Sequence, residues 1–169
     1  LVGIIGVFVF FWLISAGKLG FMPTFEELEN PNNRFASEVY FADGPIMNRY
    51  FEKENRKYIE YREIPQSVID ALIATEDVRF YDHSGVDVRG LFRVAKGLLT
   101  ANTSAGGGST ISQQLAKMLF PRESDLNVFE LAIRKFREWV IAVRLEKSYT
   151  KEEILTMYLN KYDFLNLAV

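Results

Sequence analysis

The sequence predicts a mainly α-helical domain with a small β element and an N-terminal transmembrane helix. Three observations support this prediction. An uncharged apolar stretch opens the chain, short strand-like segments follow it, and apolar residues recur at helical spacing from Ile64 onwards. The predicted organisation is a transmembrane anchor over residues 1–22, a juxtamembrane linker with a short β-hairpin over 23–63, and a main domain over 64–169.

The composition excludes several classes of protein. The 169 residues include 20 Lys and Arg against 22 Asp and Glu, and a net charge of −2 gives no reason to expect nucleic acid as a partner. Cysteine is absent, which excludes disulfides and thiolate metal sites. A chain of this length is expected to form one ordinary domain with a single core.

The apolar stretch at the N-terminus favours a retained membrane anchor. Residues 1–17 carry no charge, and Lys18 is the first charged residue. A bilayer core of about 30 Å needs roughly 20 apolar residues as helix. One alternative is the apolar region of a cleaved signal peptide, which runs about 7–15 residues. The other is a buried core helix, which would normally have a polar face. The chain begins without Met, so we expect further residues upstream.

The β element and the helices are predicted from local patterns. The segments SEVYF, PIMNRYF and KYIEYR, within residues 37–62, are typical of strands, and Asp43-Gly44 indicates a hairpin turn. Pro65 suits a first helical position, and Ser109 or Thr110 can cap a helix that runs to about residue 120. The remaining predicted helices cover residues 91–99, 128–147 and about 150–160, the last with capping-box spacing between Thr150 and Glu153.

Glu76 is the first candidate catalytic residue. It lies four residues after Leu72 and three after Ile73, so on a helix it would end an apolar stripe. Apolar surroundings make a carboxylate a stronger base, which suits proton abstraction at neutral pH. The alternative is an ordinary solvated or capping glutamate.

Glu138 is the second candidate, and its neighbours differ. Arg134 and Lys135 lie one helical turn before it and Arg137 is adjacent, so cations would favour the ionised carboxylate. Two carboxylates in opposite environments are typical of split acid–base roles. The alternative is a surface ion pair.

The GGGST segment at residues 106–110 predicts an anion site. Backbone N–H groups at a helix start preceded by glycine bind phosphate or pyrophosphate. No Lys-Ser/Thr pair follows the glycines, so nucleotide hydrolysis is not favoured. The alternative is a flexible loop with a routine cap and a solvated charged face. The side chains expected around the anion are Ser109, Thr110, Gln113, Gln114, Lys117, Arg122, Arg134, Lys135 and Arg137.

Four motifs, taken together, resemble a known family. They are EDVRFYDHSG at 76–85, GGSTISQQ at 107–114, RKFRE at 134–138 and KEEILTMYLN at 151–160. In this order they are similar to the peptidoglycan glycosyltransferases, the family-51 transglycosylase domain of class A penicillin-binding proteins and monofunctional transglycosylases. The resemblance covers residues 64–160 and implies a lysozyme-like α fold beside the membrane.

The resemblance also implies roles for individual residues. Glu76 matches the catalytic base and Glu138 a second essential glutamate, while His83 matches an architectural position. The stretch between Lys117 and Lys135 is longer than usual in the family, which affects the match of Arg122. Leu165 stands where a glycine commonly follows the Phe of a fifth motif, and the chain ends within that motif. The implied substrate-binding residues are Ser109, Thr110, Gln114, Lys117, Arg122, Arg134 and Lys135.

The implied activity is polymerisation of lipid II into β-1,4-linked glycan strands with release of undecaprenyl pyrophosphate. The implied location is the bacterial cytoplasmic (inner) membrane, single pass, with the catalytic domain on the outer or periplasmic side. Expected partners are lipid II, the growing strand, the bilayer, cell-wall synthesis proteins and moenomycin-type inhibitors. The resemblance implies no obligatory cofactor, and Mg²⁺ or Mn²⁺ held near Glu138 is compatible with the implied reaction. The alternatives are a lysozyme-like lytic glycosidase and a non-catalytic cell-wall scaffold.

Overall fold

The computed structural model describes residues 2–20, 22–24, 27, 37–50, 58–100, 107–120 and 127–162. Within these ranges the chain is mainly helical, as predicted, with one small sheet. The elements in chain order are α1 (Val2–Ser15), β1 (Ser37–Tyr40), β2 (Ile46–Tyr50), a 3-10 turn (Tyr61–Glu63), α2 (Gln66–Glu76), a second 3-10 turn (Phe80–Asp82), α3 (Val88–Leu99), α4 (Ile111–Leu119), α5 (Val128–Ser148) and α6 (Lys151–Lys161).

Helix α1 is shorter than the transmembrane helix predicted over residues 1–22. It ends at Ser15, and Gly17 (φ +71°) and Gly20 (φ +111°) then take left-handed backbone conformations that turn the chain out of the helix. Its 14 residues span about 21 Å, against about 30 Å for a bilayer core. In the described ranges no helix is both long and apolar enough to cross a membrane.

The packing of α1 fastens it to α5. The rings of Phe10 and Phe11 meet Phe136 edge to face, with centroids 5.3 and 5.7 Å apart. The Arg144 guanidinium donates to the Ser15 carbonyl and hydroxyl oxygens, both at 2.8 Å, and to the Pro23 carbonyl at 3.0 Å. Helix α1 is therefore fixed against the helix that carries Lys135 and Glu138.

The predicted hairpin is confirmed, but the third strand-like segment is not a strand. Strands β1 and β2 pair antiparallel with an irregularity between Val39 and Tyr40, and Gly44 (φ +103°) lies in the turn. In the segment KYIEYR, the described part ends in the first 3-10 turn, where the Glu60 and Glu63 side chains cap each other's backbone. These local side-chain bonds satisfy backbone N–H groups that a strand would have offered to a partner.

The core lies around α4, which packs against both α5 and α6. Side chains buried in this cluster come from four helices, from the turn after α2 and from Ile64 just before α2. Helix α4 buries polar residues as well as apolar ones. The buried apolar residues are Ile64, Ile69, Phe80, Ile111, Leu115, Ala116, Ile141, Leu145, Ile154, Leu155 and Tyr158. The polar ones on α4 are Ser112 and Gln113. The helix that follows the glycine-rich segment is thus packed on two sides and largely buried.

Side-chain caps fix where these helices begin. Thr110 accepts a hydrogen bond from the Gln113 N–H at 3.2 Å, and the predicted capping box of Thr150 and Glu153 is confirmed. Pro65 is the N-cap of α2 instead of its first helical residue. Cap geometry therefore sets the position of α4 and α6 along the chain, and with it the position of the motif residues they carry.

Candidate active site

An open cleft of about 250 Å³ lies at the C-terminal end of α2. Its walls come from the end of α2, the first half of α3, the glycine-rich segment and the start of α4. Acidic, basic and amide side chains all reach it. The polar lining includes Glu76, Arg79, Arg93, Ser109, Thr110 and Gln114.

Glu76 is the last residue of α2 and its side chain is exposed to this cleft. The predicted apolar surroundings are therefore wrong. Leu72 and Ile73 pack inward, but the helix ends at Glu76 and its side chain projects beyond the packed part. Gln114 Nε2 donates to Glu76 Oε2 at 2.8 Å, and the Tyr158 hydroxyl donates to Gln114 Oε1 at 3.0 Å. The carboxylate thus has one neutral donor and open space beside it.

Asp77 and His83 hold the end of α2 against the start of α4. The Asp77 carboxylate accepts the Ile111 N–H at 3.1 Å, and its two oxygens lie 3.0 and 3.1 Å from His83 Nε2. The Gly85 N–H donates to His83 Nδ1 at 3.2 Å, which makes Nδ1 the acceptor and Nε2 the protonated nitrogen. This link brings Glu76 of α2 beside Gln114 of α4.

Gly85 and Thr110 also help to hold the start of α4 in place. Gly85 has φ +95°, and a Cβ there would lie 2.7 Å from the Ala142 carbonyl carbon, so a side chain does not fit. The buried Thr110 hydroxyl donates to the Gly85 carbonyl at 2.7 Å, and Gln113 Nε2 donates to the same oxygen at 3.3 Å. The Thr110 hydroxyl, expected to meet substrate, is engaged by the fold on both its donor and acceptor sides.

Ser109, Lys135 and Glu138 form the second half of the site. Lys135 Nζ donates to Ser109 Oγ at 2.9 Å and to Glu138 Oε2 at 3.0 Å. The Glu138 side chain is only 12% exposed, against 36% for Lys135. The predicted cationic neighbour of Glu138 is therefore confirmed. Because Ser109 also lines the cleft with Glu76, the two carboxylate regions meet at this serine.

The other basic residues predicted for the anion site lie on α4, on α5 or outside the described part of the chain. Lys117 on α4 and Arg134 and Arg137 on α5 are half-buried. Arg122 lies outside the described residues. An added Cβ at Gly20 would collide with Arg137 Nη1, so the segment after α1 rests against that guanidinium. Arg137 is thus on the side of α5 that faces the N-terminal segment.

Sequence reasoning missed a second layer of residues beneath the cleft. Lys151 Nζ donates to the His83 carbonyl at 2.7 Å and to Glu146 Oε1 at 2.8 Å, and lies 4.2 Å from the Phe80 ring centroid. The Ser112 hydroxyl donates to the same Glu146 oxygen. Membership of Lys151 and Tyr158 in the KEEILTMYLN motif was the one signal that pointed to them.

The residues around Glu138 do not form a metal site by themselves. One carboxylate oxygen is engaged by Lys135. In the described ranges no three His, Asp or Glu side chains come together as ligands. Because Mg²⁺ in proteins is commonly held by one or two carboxylates together with water and substrate phosphates, the Mg²⁺ or Mn²⁺ expected near Glu138 stays a prediction.

Comparison with known proteins gives the family. A family model described as "Transglycosylase" matches residues 43–168. Penicillin-binding protein 1A of Escherichia coli K12 is 39% identical over 140 residues, which cover 83% of this chain and 16% of that protein. The Haemophilus influenzae protein of the same name is 39% identical over 149 residues, 88% of this chain and 16% of its own length. The Vibrio cholerae protein is 33% identical over 161 residues, 95% of this chain and 18% of its own length.

The chain thus spans less than a fifth of the length of these relatives. The matched residues 43–168 include all four motifs, from Glu76 to Asn160. The match confirms the family and the class of enzyme predicted from those motifs: the chain belongs to the transglycosylase family.

Proposed function

We propose that this chain is a peptidoglycan glycosyltransferase domain that polymerises lipid II into β-1,4-linked glycan strands and releases undecaprenyl pyrophosphate. The observation that supports it best is that the cleft, which Glu76 and Ser109 line, is joined through Lys135 to a second, unlike carboxylate, Glu138. Glu76 is exposed and bonded to a neutral amide, whereas Glu138 is nearly buried and paired with Lys135. Ser109 connects the two regions.

Glu76 is the general base of the proposed reaction. It accepts the proton of the 4-hydroxyl of the incoming lipid II, and that oxygen attacks the anomeric carbon that bears pyrophosphate on the growing strand. The carbon–oxygen bond to the α-linked pyrophosphate breaks, and a β-1,4 bond forms with inversion. A base must be within hydrogen-bond reach of the hydroxyl, and an exposed carboxylate meets this requirement. Gln114 engages Oε2, so we assign the proton transfer to Oε1.

Lys135 stabilises the leaving group. Negative charge grows on the pyrophosphate as the bond breaks, and a fixed ammonium nearby lowers the energy of that state. Ser109 and Glu138 hold the Lys135 ammonium from two sides. Glu138 therefore acts by placing a cation. Lys117, Arg122 and Arg134 extend the anion site, and Thr110 positions α4 through its two hydrogen bonds.

The bilayer is the proposed location, with the catalytic domain of this helical, lysozyme-like protein on its outer side. One side of α1 packs on α5, while large apolar side chains on the rest of the helix are exposed. Phe8 is 72% and Trp12 64% exposed, and neither contributes to the Phe136 contact. Exposed aromatic side chains on an uncharged helix are suited to a lipid environment. Residues 1–22 would then hold the cleft where a lipid-linked substrate resides.

Two variants of a protein that carries this domain test the location. Phe8→Gln with Trp12→Gln removes apolar surface and leaves the α1–α5 contact in place. We expect polymerisation to fall severalfold in liposomes and to stay unchanged in detergent, where substrate reaches both forms equally. Phe10→Gln, which disturbs the α5 contact, should lower activity in both. Equal activity of the double variant and the unaltered protein in liposomes would contradict the proposal.

Labelled lipid II distinguishes this function from its rivals. The transferase lengthens strands and releases undecaprenyl pyrophosphate, whereas a lytic glycosidase shortens polymer already made. A scaffold does neither. The Ser109–Lys135–Glu138 cluster favours the transferase, because hydrolysis of a neutral glycan needs no pyrophosphate site. Shortening of preformed strands without consumption of lipid II would overturn the proposal.

A further inference from the structure

We infer that Tyr158 is a positioning residue for Glu76, acting through the side-chain amide of Gln114. The inference deepens the proposed function and rests on the role of Glu76 as base. Tyr158 lies on α6, Gln114 on α4 and Glu76 at the end of α2, so three helices contribute one residue each to a single hydrogen-bonded chain.

The hydrogen-bonded chain from Tyr158 to Glu76 has a defined donor-to-acceptor direction. The Tyr158 hydroxyl lies 3.0 Å from Gln114 Oε1, and Gln114 Nε2 lies 2.8 Å from Glu76 Oε2. An amide oxygen only accepts and an amide nitrogen only donates, and an ionised carboxylate only accepts. Glu76 can therefore accept a hydrogen bond from Gln114 in only one of the two orientations of the amide, the one with Nε2 toward the carboxylate. The reversed orientation would place two acceptor oxygens against each other.

Tyr158 selects the productive orientation. A hydroxyl that donates to Oε1 holds the oxygen away from Glu76 and leaves the amide nitrogen facing the carboxylate. Burial first, and then the charge of the Glu76 carboxylate, raise the pKa of Tyr158 well above its usual range, so the phenol stays protonated and able to donate. The ring is 2% exposed and stacks on Tyr162 with centroids 5.3 Å apart, which prevents it from turning away.

The consequence for the reaction is preorganisation. Gln114 is only half-buried at the wall of an open cleft, so its amide has room to rotate unless something holds it. A fixed donor on Glu76 Oε2 keeps the carboxylate in one rotamer and its other oxygen toward the incoming hydroxyl. Holding a reacting group in place before substrate arrives lowers the barrier to the chemical step and not the affinity for substrate.

Tyr158→Phe tests this role, because it removes the hydroxyl and keeps the buried ring. In a protein that carries this domain we expect kcat for lipid II polymerisation to fall on the order of tenfold, the size expected for one hydrogen bond. KM should stay within about twofold, since no substrate contact is lost. Tyr162→Phe is the matched control: it removes a hydroxyl from the stacked neighbour, leaves the chain to Glu76 intact, and should keep normal kcat.

Combining variants separates positioning from general loosening of the core. Gln114→Ala should lower kcat by itself, and Tyr158→Phe added to it should cause no further loss, because the phenol acts only through the amide. An unchanged kcat in Tyr158→Phe, or an equal loss with and without Gln114, would overturn the inference. Failure of the proposed base looks different, since Glu76→Gln would then polymerise lipid II at a normal rate whatever Tyr158 does.

Discussion

The two carboxylates of the candidate site, Glu76 in the cleft and Glu138 behind Ser109 and Lys135, are held in opposite ways. Glu76 stands exposed at the end of α2 and has a neutral amide donor, whereas Glu138 lies within α5, nearly buried, with an ammonium group 3.0 Å away. Glu138 forms an ion pair with Lys135, whereas the described contacts of Glu76 include a neutral amide and no ion pair. This difference supports the proposal that Glu76 transfers the proton and that Glu138 positions a cation.

The two regions also rest on different supports. Glu76 is fixed by the Asp77–His83 link and by the hydrogen-bonded chain from Tyr158. Glu138 lies on a helix that packs against α1 through Phe136 and is fastened to the end of α1 by Arg144. Substitutions in α1 should therefore disturb the position of Glu138 more than that of Glu76.

Apart from the base itself, the largest loss of turnover is expected from substitution of Glu138. Glu138→Ala leaves the Lys135 ammonium without its ion-pair partner, and turnover should fall on the order of 10²-fold, as for loss of other electrostatic groups at reacting centres. Glu138→Gln should lose less, because its amide oxygen can still accept from Lys135. Steady-state assays with lipid II measure both, with Glu152→Ala, an exposed glutamate on α6, as control. An equally severe loss in Glu138→Gln and Glu138→Ala would mean that Glu138 itself transfers a proton.

A smaller effect is expected at the cation. Lys135→Ala should weaken binding of pyrophosphate-bearing ligands, including moenomycin-type inhibitors, by about tenfold. Lys117→Ala should weaken it too, and Glu76→Gln should weaken it less. Lys147→Ala is the control on the same helix, since Lys147 is exposed in the last turn of α5. Equal binding by Lys135→Ala and Lys147→Ala would show that Lys135 belongs to a solvated face.

The smallest effect concerns the support of the Glu76 side. Thr110→Val removes a hydroxyl that donates to Gly85 and caps α4, and should lower the free energy of unfolding by about 1–2 kcal/mol. Thr110→Ser keeps the hydroxyl and should lose much less. Denaturant unfolding monitored by circular dichroism compares the two. Equal free energies of unfolding for Thr110→Val and Thr110→Ser would show that the Thr110 hydroxyl does not hold α4 in place.

The starts of α4 and α6 followed from the sequence because side-chain caps decide them. Thr110, Thr150 and Glu153 make bonds to residues three positions away, so their geometry is local and readable from spacing. The length of α1 was not, because glycines at positive φ ended a stretch whose apolar character alone predicted a longer helix. Apolar composition by itself does not determine where a helix ends.

The contact between Lys135 and Glu138 was predictable from the sequence, whereas the contacts between helices were not. The cation beside Glu138 lies on the same helix turn, so spacing was enough to predict it. The exposure of Glu76 depends on where α2 ends relative to its packed stripe. The chain from Tyr158 joins residues 44 and 38 positions apart. Periodicity describes neighbours within one helix and carries no information about which helices meet.

The base assignment is the central claim, and Glu76→Gln tests it most directly. Glutamine keeps the shape of the side chain and removes proton acceptance, so lipid II polymerisation should fall by on the order of 10²-fold or more. Fold and binding of moenomycin-type inhibitors should be retained, because Lys135 and Ser109 are untouched. Strand growth by Glu76→Gln at the rate of the unaltered protein, with Glu138→Gln inactive, would contradict the account and assign proton transfer to the other carboxylate.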